Sequence, residues 1–577
     1  MEGAAPNAGG GKRCSMKFSE MPYQRPDIPA LREKLEALRA RIEGAQSADE
    51  AERAYRESDA LSQQYATATS LAYIRHSIDT RDAFYDAENA FADENEPVVK
   101  EMAQAVNLAL LRSPFRKELE ARLGEVLFTN LEIEVRSFSP HNLSLMQEEN
   151  RLQSEYQKLY ASALADWEGA KLPLPKLGPY KQSGDRATRR RAYEAEGRWF
   201  DAHREELDAL YDALVRNRTQ QARNMGHETY LPLGYDRLGR NCYGIQEVEA
   251  FRDQIAKDLV PIVNGVRAAQ ARRLGLTSLA LYDSTVSFPD GNAAPQGTAE
   301  EILEKGHAMY RELSPETAEF ADFLWGNELL DVRSKEGKAP GGYCTEIPAY
   351  GAPFIFSNFN GTSDDVDVLT HEAGHAFAAY RAMRRGIPSN LWTPTMDAAE
   401  VHSMSMEFLT APWHERFFGP AVRKYELAHC EDALTFIPYG CMVDEFQHRM
   451  YENPTLTPEQ RNAVWLDLEK KYRPWMDLSG LPFYGRGAGW QRQLHIYLFP
   501  LYYIDYCMAQ TVAFQFWMAS LADRGGAWAR YLRFVDGGGA KTFASLVEDA
   551  GLCLPYAPGC IRKVGGEVAQ WLTDNAR

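Results

Sequence analysis

The sequence is poor in several things, and each shortage excludes a class of function. It has eight cysteines in 577 residues: Cys14, Cys242, Cys344, Cys430, Cys441, Cys507, Cys553 and Cys560. They are scattered and form no CxxC pair, so a disulfide scaffold is excluded and a reduced, cytoplasmic protein is expected. Positive charge is also short, with a net charge of −17 and a pI near 5.3. A nucleic-acid binder needs a basic surface to displace phosphate counterions, and none is evident. The one dense basic run, "DRATRRRAYEAEGR" at 185–198, has acids interleaved toward its end and reads as a solvated helix face. A membrane partner is excluded too. The longest apolar stretch, 494–522, is interrupted by His495, Pro500, Asp505, Gln510 and Gln515. Such groups are costly in lipid, so a buried core helix is expected there. The opening "MEGAAPNAGGGKRCSM" lacks an apolar core, so it is no signal peptide, and residues 1–15 are expected to form a disordered tail.

What is present is globular material, 45% hydrophobic and 25% charged. The length suits two or more domains, or one large helical body. Leu31, Leu35, Leu38 and Ile42 recur at i, i+4, i+7, i+11, an amphipathic helix stripe. Residues 48–110 and 190–225 are rich in Ala, Glu, Arg and Leu with few breakers, which is helical-hairpin material. "EGAKLPLPKLGPYKQSGD" (168–185) reads as a loop and a boundary. The organisation expected is therefore a helical region over 16–185 and a second region over 186–577. At 337–362 glycine, proline and aromatics replace the helix formers, and "PFIFSNF" (353–359) has strand composition. An edge strand there could pair with a peptide backbone.

That β region runs into "VDVLTHEAGHAF" (366–377). Asp364 or Asp365 can cap a helix beginning near Val366. His371 and His375 then lie one turn apart on one face, where two imidazoles can reach one Zn²⁺. Glu372 is offset by about 100° and can reach a metal-bound water without binding the metal. This is the HExxH arrangement of zinc peptidases. With 12 histidines in the chain, chance would produce it roughly once in fifty such chains.

A catalytic zinc needs a third protein ligand. HExxHxxGxxH would place a glycine and a histidine where Ala378 and Arg381 stand, and HExxH-x18-E would place a glutamate where Pro394 stands. Both patterns are excluded. Pro394, Thr395 and Asp397 start a second amphipathic helix, "TMDAAEVHSMSMEFL" (395–409). We take its Glu400 as the third ligand. Glu407, on the same face, is placed to accept the free N–H of a ligating histidine. His402 points elsewhere on that helix and reads as structural.

At this point the sequence resembles the oligoendopeptidase F branch of the thimet oligopeptidase/oligoendopeptidase F family of zinc metallopeptidases. The resemblance rests on HExxH, on "EVHSMSME" with Ser403 and Glu407 in register, and on "GGYC" (341–344), "NFNGTSDDVDVLTHE" (358–372) and "HIYLFPLYYIDYCMAQ" (495–510). It covers about 340–515, the motif core of the catalytic region. It implies a mainly α, ellipsoidal, two-lobed body enclosing a deep substrate channel, with a small β-sheet beside the zinc helix. It implies one zinc ion on His371, His375 and Glu400, with Glu372 as general base. Short, unstructured peptides are the implied partners, cut at internal bonds. The family uses a histidine and tyrosines to stabilise the oxyanion. On one helix face His495, Tyr502 and Tyr506 fall at i, i+7, i+11, and Tyr503 points about 100° away from Tyr502. The choice between Tyr502 and Tyr503 stays open. The substrate backbone would lie along Gly341, Gly342 and Tyr343, with Phe354, Phe356 and Tyr503 beside it. Two other classes stay in view: a non-catalytic peptide-binding protein with an inherited site, and a zinc hydrolase of another substrate class or one restricted to chain ends. Monomer and homodimer are equally compatible with the sequence.

Overall fold

A computed structural model describes residues 16–339 and 341–576. The expected tail at 1–15 lies outside them. The chain is mainly helical, with two small sheets. It divides into two compact units, each assembled from three segments. The first takes the chain up to Val135, then Ala294–Gly419 and Asp523–Gly551. The second takes Arg136–Ala293, Pro420–Ala522 and Leu552–Arg577.

The first unit opens with three helices packed on one another: α1 (Ile28–Glu43), α2 (Ala48–Ile78) and α3 (Ala83–Leu111). Each has a side-chain cap. Asp27, Ser47 and Asp82 accept from backbone N–H groups of the first turns, satisfying donors that a helix start leaves unpaired. The Leu31–Leu35–Leu38–Ile42 stripe is buried, as its spacing predicts, against Tyr55, Met102, Val106 and Leu110. Each such side chain contributes about 1.5–3 kcal/mol when removed from water.

Five strands are present among the described residues. β1 (Leu164–Trp167) and β2 (Ala170–Pro173) form an antiparallel hairpin in the second unit. The loop expected over 168–185 therefore opens with the turn and second strand of a hairpin. Two four-residue strands joined through Glu168 and Gly169, both with positive φ, carry little periodic signal. In the first unit β3 (Leu330–Arg333), β4 (Tyr343–Ile347) and β5 (Ala352–Phe359) form one sheet in the order β3-β5-β4. β5 runs parallel to β3 and antiparallel to β4. So "PFIFSNF" is the central strand, and the edges belong to β3 and β4.

β5 leads into α4 (Asp364–Ala382), and α5 (Met396–Leu409) packs closely on α4. The second unit is built round α6 (Val422–Glu452), which packs on the helices Pro458–Tyr472 and Cys560–Asn575. Within the expected single helix at 494–522 the chain instead forms α7 (Leu494–Leu498), a turn, and α8 (Ile504–Ala522). α8 is buried on nearly every side, as an all-round apolar helix must be. Two of its polar groups have partners: Asp505 meets Arg240, and Gln515 meets the backbone of Cys553. No helix among the described residues is long and apolar enough to cross a membrane. The basic run at 185–198 is solvated only in part. Arg189 is buried and pairs with Asp283 at 2.8 Å, because a charge taken from water must find its counter-charge.

Candidate active site

The candidate metal centre is made by α4 and α5 of the first unit. α4 starts one residue earlier than expected for Asp364 as a cap: its N-cap is Ser363, which makes no side-chain cap bond. Asp365 instead turns back and accepts from the Asn360 and Gly361 amides at 2.8 Å each, tying the loop after β5 to the helix start. Within HEAGH, Gly374 sets how near α5 can come. A Cβ at 374 would lie 2.6 Å from the His402 carbonyl oxygen and 2.6 Å from the Ser403 Cα. Only a residue without a side chain allows this crossing.

The close crossing delivers Glu400 to both histidines. Its Oε2 lies 3.3 Å from His371 Nε2 and 3.5 Å from His375 Nε2. The two imidazoles are 5.0 Å apart and nearly perpendicular. One ligand atom from each of the three residues lies within 4.8 Å of the others. Ser403 Oγ donates to Glu400 Oε2 at 3.0 Å and fixes its rotamer. His371 turns its other nitrogen, Nδ1, to Glu407 Oε1 at 2.7 Å. Burial works against ionising Glu400, but the His375 and His371 imidazoles outweigh it and hold the carboxyl well below the usual range. Two imidazole nitrogens and one carboxylate oxygen, converging at one point, are a donor set suited to zinc.

Glu372 sits beside this group, 8% exposed, and makes no side-chain hydrogen bond to any described residue. Burial pushes its carboxyl up, against the pull of His371 and His375. His402 is fully buried, edge-on to Phe534 at 5.5 Å. Burial and the nearby His375 push its imidazole down to about 3, so it stays neutral.

The sheet borders this group. Burial, and then Glu372, push the Cys344 thiol well up, and burial raises the Glu346 carboxyl against the pull of His375. β4 packs on α4, and its alternate residues 344 and 346 share one face of the strand, a pairing that sequence reasoning missed. The period of two along β4 was the available signal. Tyr343 lies on the other face, stacked on Phe356 at 4.8 Å and tilted against Tyr73 at 5.0 Å. Gly341 holds φ +92°, and its carbonyl accepts from Asn358 Nδ2 at 3.0 Å. Gly342 lets the chain pass 3.3 Å from Val368 Cγ1, measured from the Cβ position it lacks. Phe354 and Phe356 are 1% and 0% exposed on the central strand. They are core rings, and the exposed-edge role expected of their strand falls to β4.

The other expected residues lie in the second unit. His495 is on α7, Tyr502 and Tyr503 are in the turn, and Tyr506 is on α8. The chain breaks where one helical face was expected, yet all three tyrosines gather on the imidazole. Ring centroids lie 6.0 Å away for Tyr502, 4.9 Å for Tyr503 and 5.9 Å for Tyr506. Gln493 Nε2 lies 2.9 Å from His495 Nδ1, and Gln493 Oε1 accepts from Tyr439 at 2.7 Å. Gln493 thus orients the imidazole, a role with no motif to announce it. Phe499–Tyr502 is a β-turn closed by Tyr502 N donating to Phe499 O at 3.3 Å. Leu501 occupies its third position at φ +68°, a left-handed conformation that costs a side-chain-bearing residue roughly 1–2 kcal/mol.

A second group in the second unit, Glu249, His448 and Glu452, also meets the distance criterion for three ligands. Its two carboxylates are exposed and Arg252 lies 3.9 Å from Glu249, so it lacks the buried carboxylate of the first.

Comparison with known proteins places the chain in a family. A model of the peptidase M3 N-terminal domain matches residues 18–138, and the model of peptidase family M3 matches 179–565. Oligopeptidase PepF of Bacillus subtilis (strain 168) is 24% identical over 545 residues, covering 88% of this chain and 78% of PepF. A solved structure of PZ peptidase A with an inhibitor superposes with a TM-score of 0.92 at 46% identity, covering 97% of this chain and 99% of that one. A structure assigned to oligoendopeptidase F from Bacillus anthracis str. Ames gives 0.88 at 42% identity, covering 97% and 99%. With well over half its length matched by the family model, the chain belongs to peptidase family M3.

Proposed function

We propose that this peptidase is a zinc-dependent endopeptidase that hydrolyses internal bonds of short, unstructured peptides. The observation that carries the reading is the convergence of His371 Nε2, His375 Nε2 and Glu400 Oε2, with the unpaired Glu372 carboxyl beside them. A zinc ion held by these three would supply an acidified water and polarise the scissile carbonyl. Glu372 takes a proton from the attacking water and passes it to the leaving amine. Its raised affinity for protons, caused by burial, suits a group that must hold one between these steps. Glu407 accepts from His371 Nδ1 and so presents Nε2 to the metal in the correct tautomer. His495 and the phenols of Tyr502, Tyr503 or Tyr506 donate to the oxyanion, where one such donor supplies about 3–4 kcal/mol. β4, which begins at Tyr343 and is led into by Gly341 and Gly342, holds the substrate backbone extended. Its edge carries the pairing groups, and Phe354 and Phe356 support it from within. The seven described cysteines are free, and this reading assigns the enzyme to a reducing cytoplasm.

A mixed peptide library digested with and without a chelator tests this. Internal cleavage, abolished by the chelator and restored by Zn²⁺, is the expected result. Cleavage confined to chain ends, or untouched by chelation, would overturn the proposal.

Glu407→Gln isolates the partner of His371. An amide can still face Nδ1 but offers no charge to the imidazole. Zinc affinity, measured by competition with a chromogenic chelator, should fall about 10- to 100-fold. Unchanged affinity would reduce Glu407 to a structural acid.

A further inference from the structure

The turn ahead of the tyrosines holds a conformation that its sequence does not favour. Pro500 fixes the second position of Phe499–Tyr502 and leaves the third free. A positive φ at the third position defines a type II turn, where glycine is the usual residue. Here the residue is leucine. Left to itself, Pro-Leu would settle into a type I turn, and the chain would leave in another direction. Among the described non-glycine residues only Glu168, Glu328 and Leu501 have positive φ, and of these only Leu501 is fully buried.

Three contacts hold it, all within the second unit. The Leu501 amide donates to Gln447 Oε1 at 2.9 Å, and Gln447 is wholly buried on α6. The Leu501 carbonyl accepts from Arg240 Nη2 at 2.6 Å. The same Nη2 donates to Asp505 Oδ1 at 2.7 Å, so one guanidinium ties the turn to the first turn of α8, next to Tyr506. Tyr243 OH donates to the same carboxylate oxygen at 3.3 Å. The leucine side chain fills the space that Gly234 leaves. A Cβ at Gly234 would stand 2.6 Å from Leu501 Cδ1. Donor, acceptor and side chain of one residue are each pinned by a different element.

We propose that Gln447 and Arg240 are positioning residues for the peptidase reaction. They hold Leu501 left-handed, and so set Tyr502, Tyr503 and Tyr506 against His495. The proposal rests on the reading of that cluster as oxyanion donors. Neither residue touches substrate in it; both act through the turn. Without the Gln447 acceptor the leucine relaxes to negative φ, and the phenols leave their places around the imidazole.

The test is a rescue. Gln447→Met keeps the volume and removes the acceptor. It should lower kcat about 10- to 100-fold, as a displacement of an ångström in a catalytic group does, with KM changed less than twofold. Exchange of the Tyr502 and Asp505 amides, whose bonds close and follow the turn, should quicken. Adding Leu501→Gly should then restore most of kcat and slow the exchange again, because glycine holds positive φ unaided. A residue needed only for stability predicts the reverse, since the second change removes a buried side chain and makes a damaged protein worse. A double variant no better than Gln447→Met in both readouts would overturn the proposal. Exchange that responds and recovers while kcat stays flat throughout would uphold the turn device and sink the oxyanion reading instead.

Discussion

Glu372→Gln should retain its metal and lose activity about 10³-fold, nearly all in kcat. Glutamine matches glutamate in shape, and Glu372 forms no hydrogen bond with the three ligands, so they have nothing to rearrange. Folding should not suffer. Burial already disfavours the charged form of this carboxyl, and a neutral amide needs less solvation than the carboxylate it replaces. What is lost is the ability to take and return a proton. The measurement pairs turnover of an internally quenched peptide with metal content of the same preparation. Full zinc with kcat within tenfold of the parent would remove Glu372 from the proton path.

The parts of this site that were legible in the sequence are those fixed by helical period. His371, Glu372 and His375 stand at their angles because 3.6 residues make a turn. Glu400 and Glu407 share a face for the same reason, and Glu407 does reach His371. The close crossing of α4 and α5 had a visible signal too, in the glycine of HEAGH. Strand order was harder, since it depends on partners distant in sequence. Even so, β5 is buried at seven of its eight residues, and an unbroken apolar run marks a central strand more than an edge. The break in 494–522 was foreshadowed by Pro500 only as a kink. Leucine propensity speaks against a left-handed Leu501, and the residues that impose it lie 54 and 261 positions away. Tertiary contacts overrode local preference there, where strain tends to be stored beside function. The same distance hid the partner of Arg189, which is 94 positions off.

Glu400→Ala attacks the metal itself, and its effects should separate from those of Glu372→Gln in two ways. First, zinc affinity should fall by more than the roughly 10- to 100-fold typical of an outer partner, because a donor atom is gone. Activity at limiting zinc should vanish with it. Second, the variant should lose its stability response to zinc. A metal that binds only the folded chain stabilises it by RT ln(1 + [L]/Kd), about 2.7 kcal/mol at a hundredfold excess over Kd. The parent enzyme should therefore melt higher with zinc than with chelator, and Glu400→Ala should melt alike in both. The substitution also strips Ser403 Oγ of its side-chain acceptor and both imidazoles of their neighbouring carboxylate. Glu400→Gln serves as the control for that damage, since it keeps an acceptor oxygen while discarding the charge. It should hold zinc more weakly than the parent and more tightly than the alanine variant. Parent-like zinc content in Glu400→Ala, with a zinc-dependent melt preserved, would mean that the third ligand lies elsewhere than on α5.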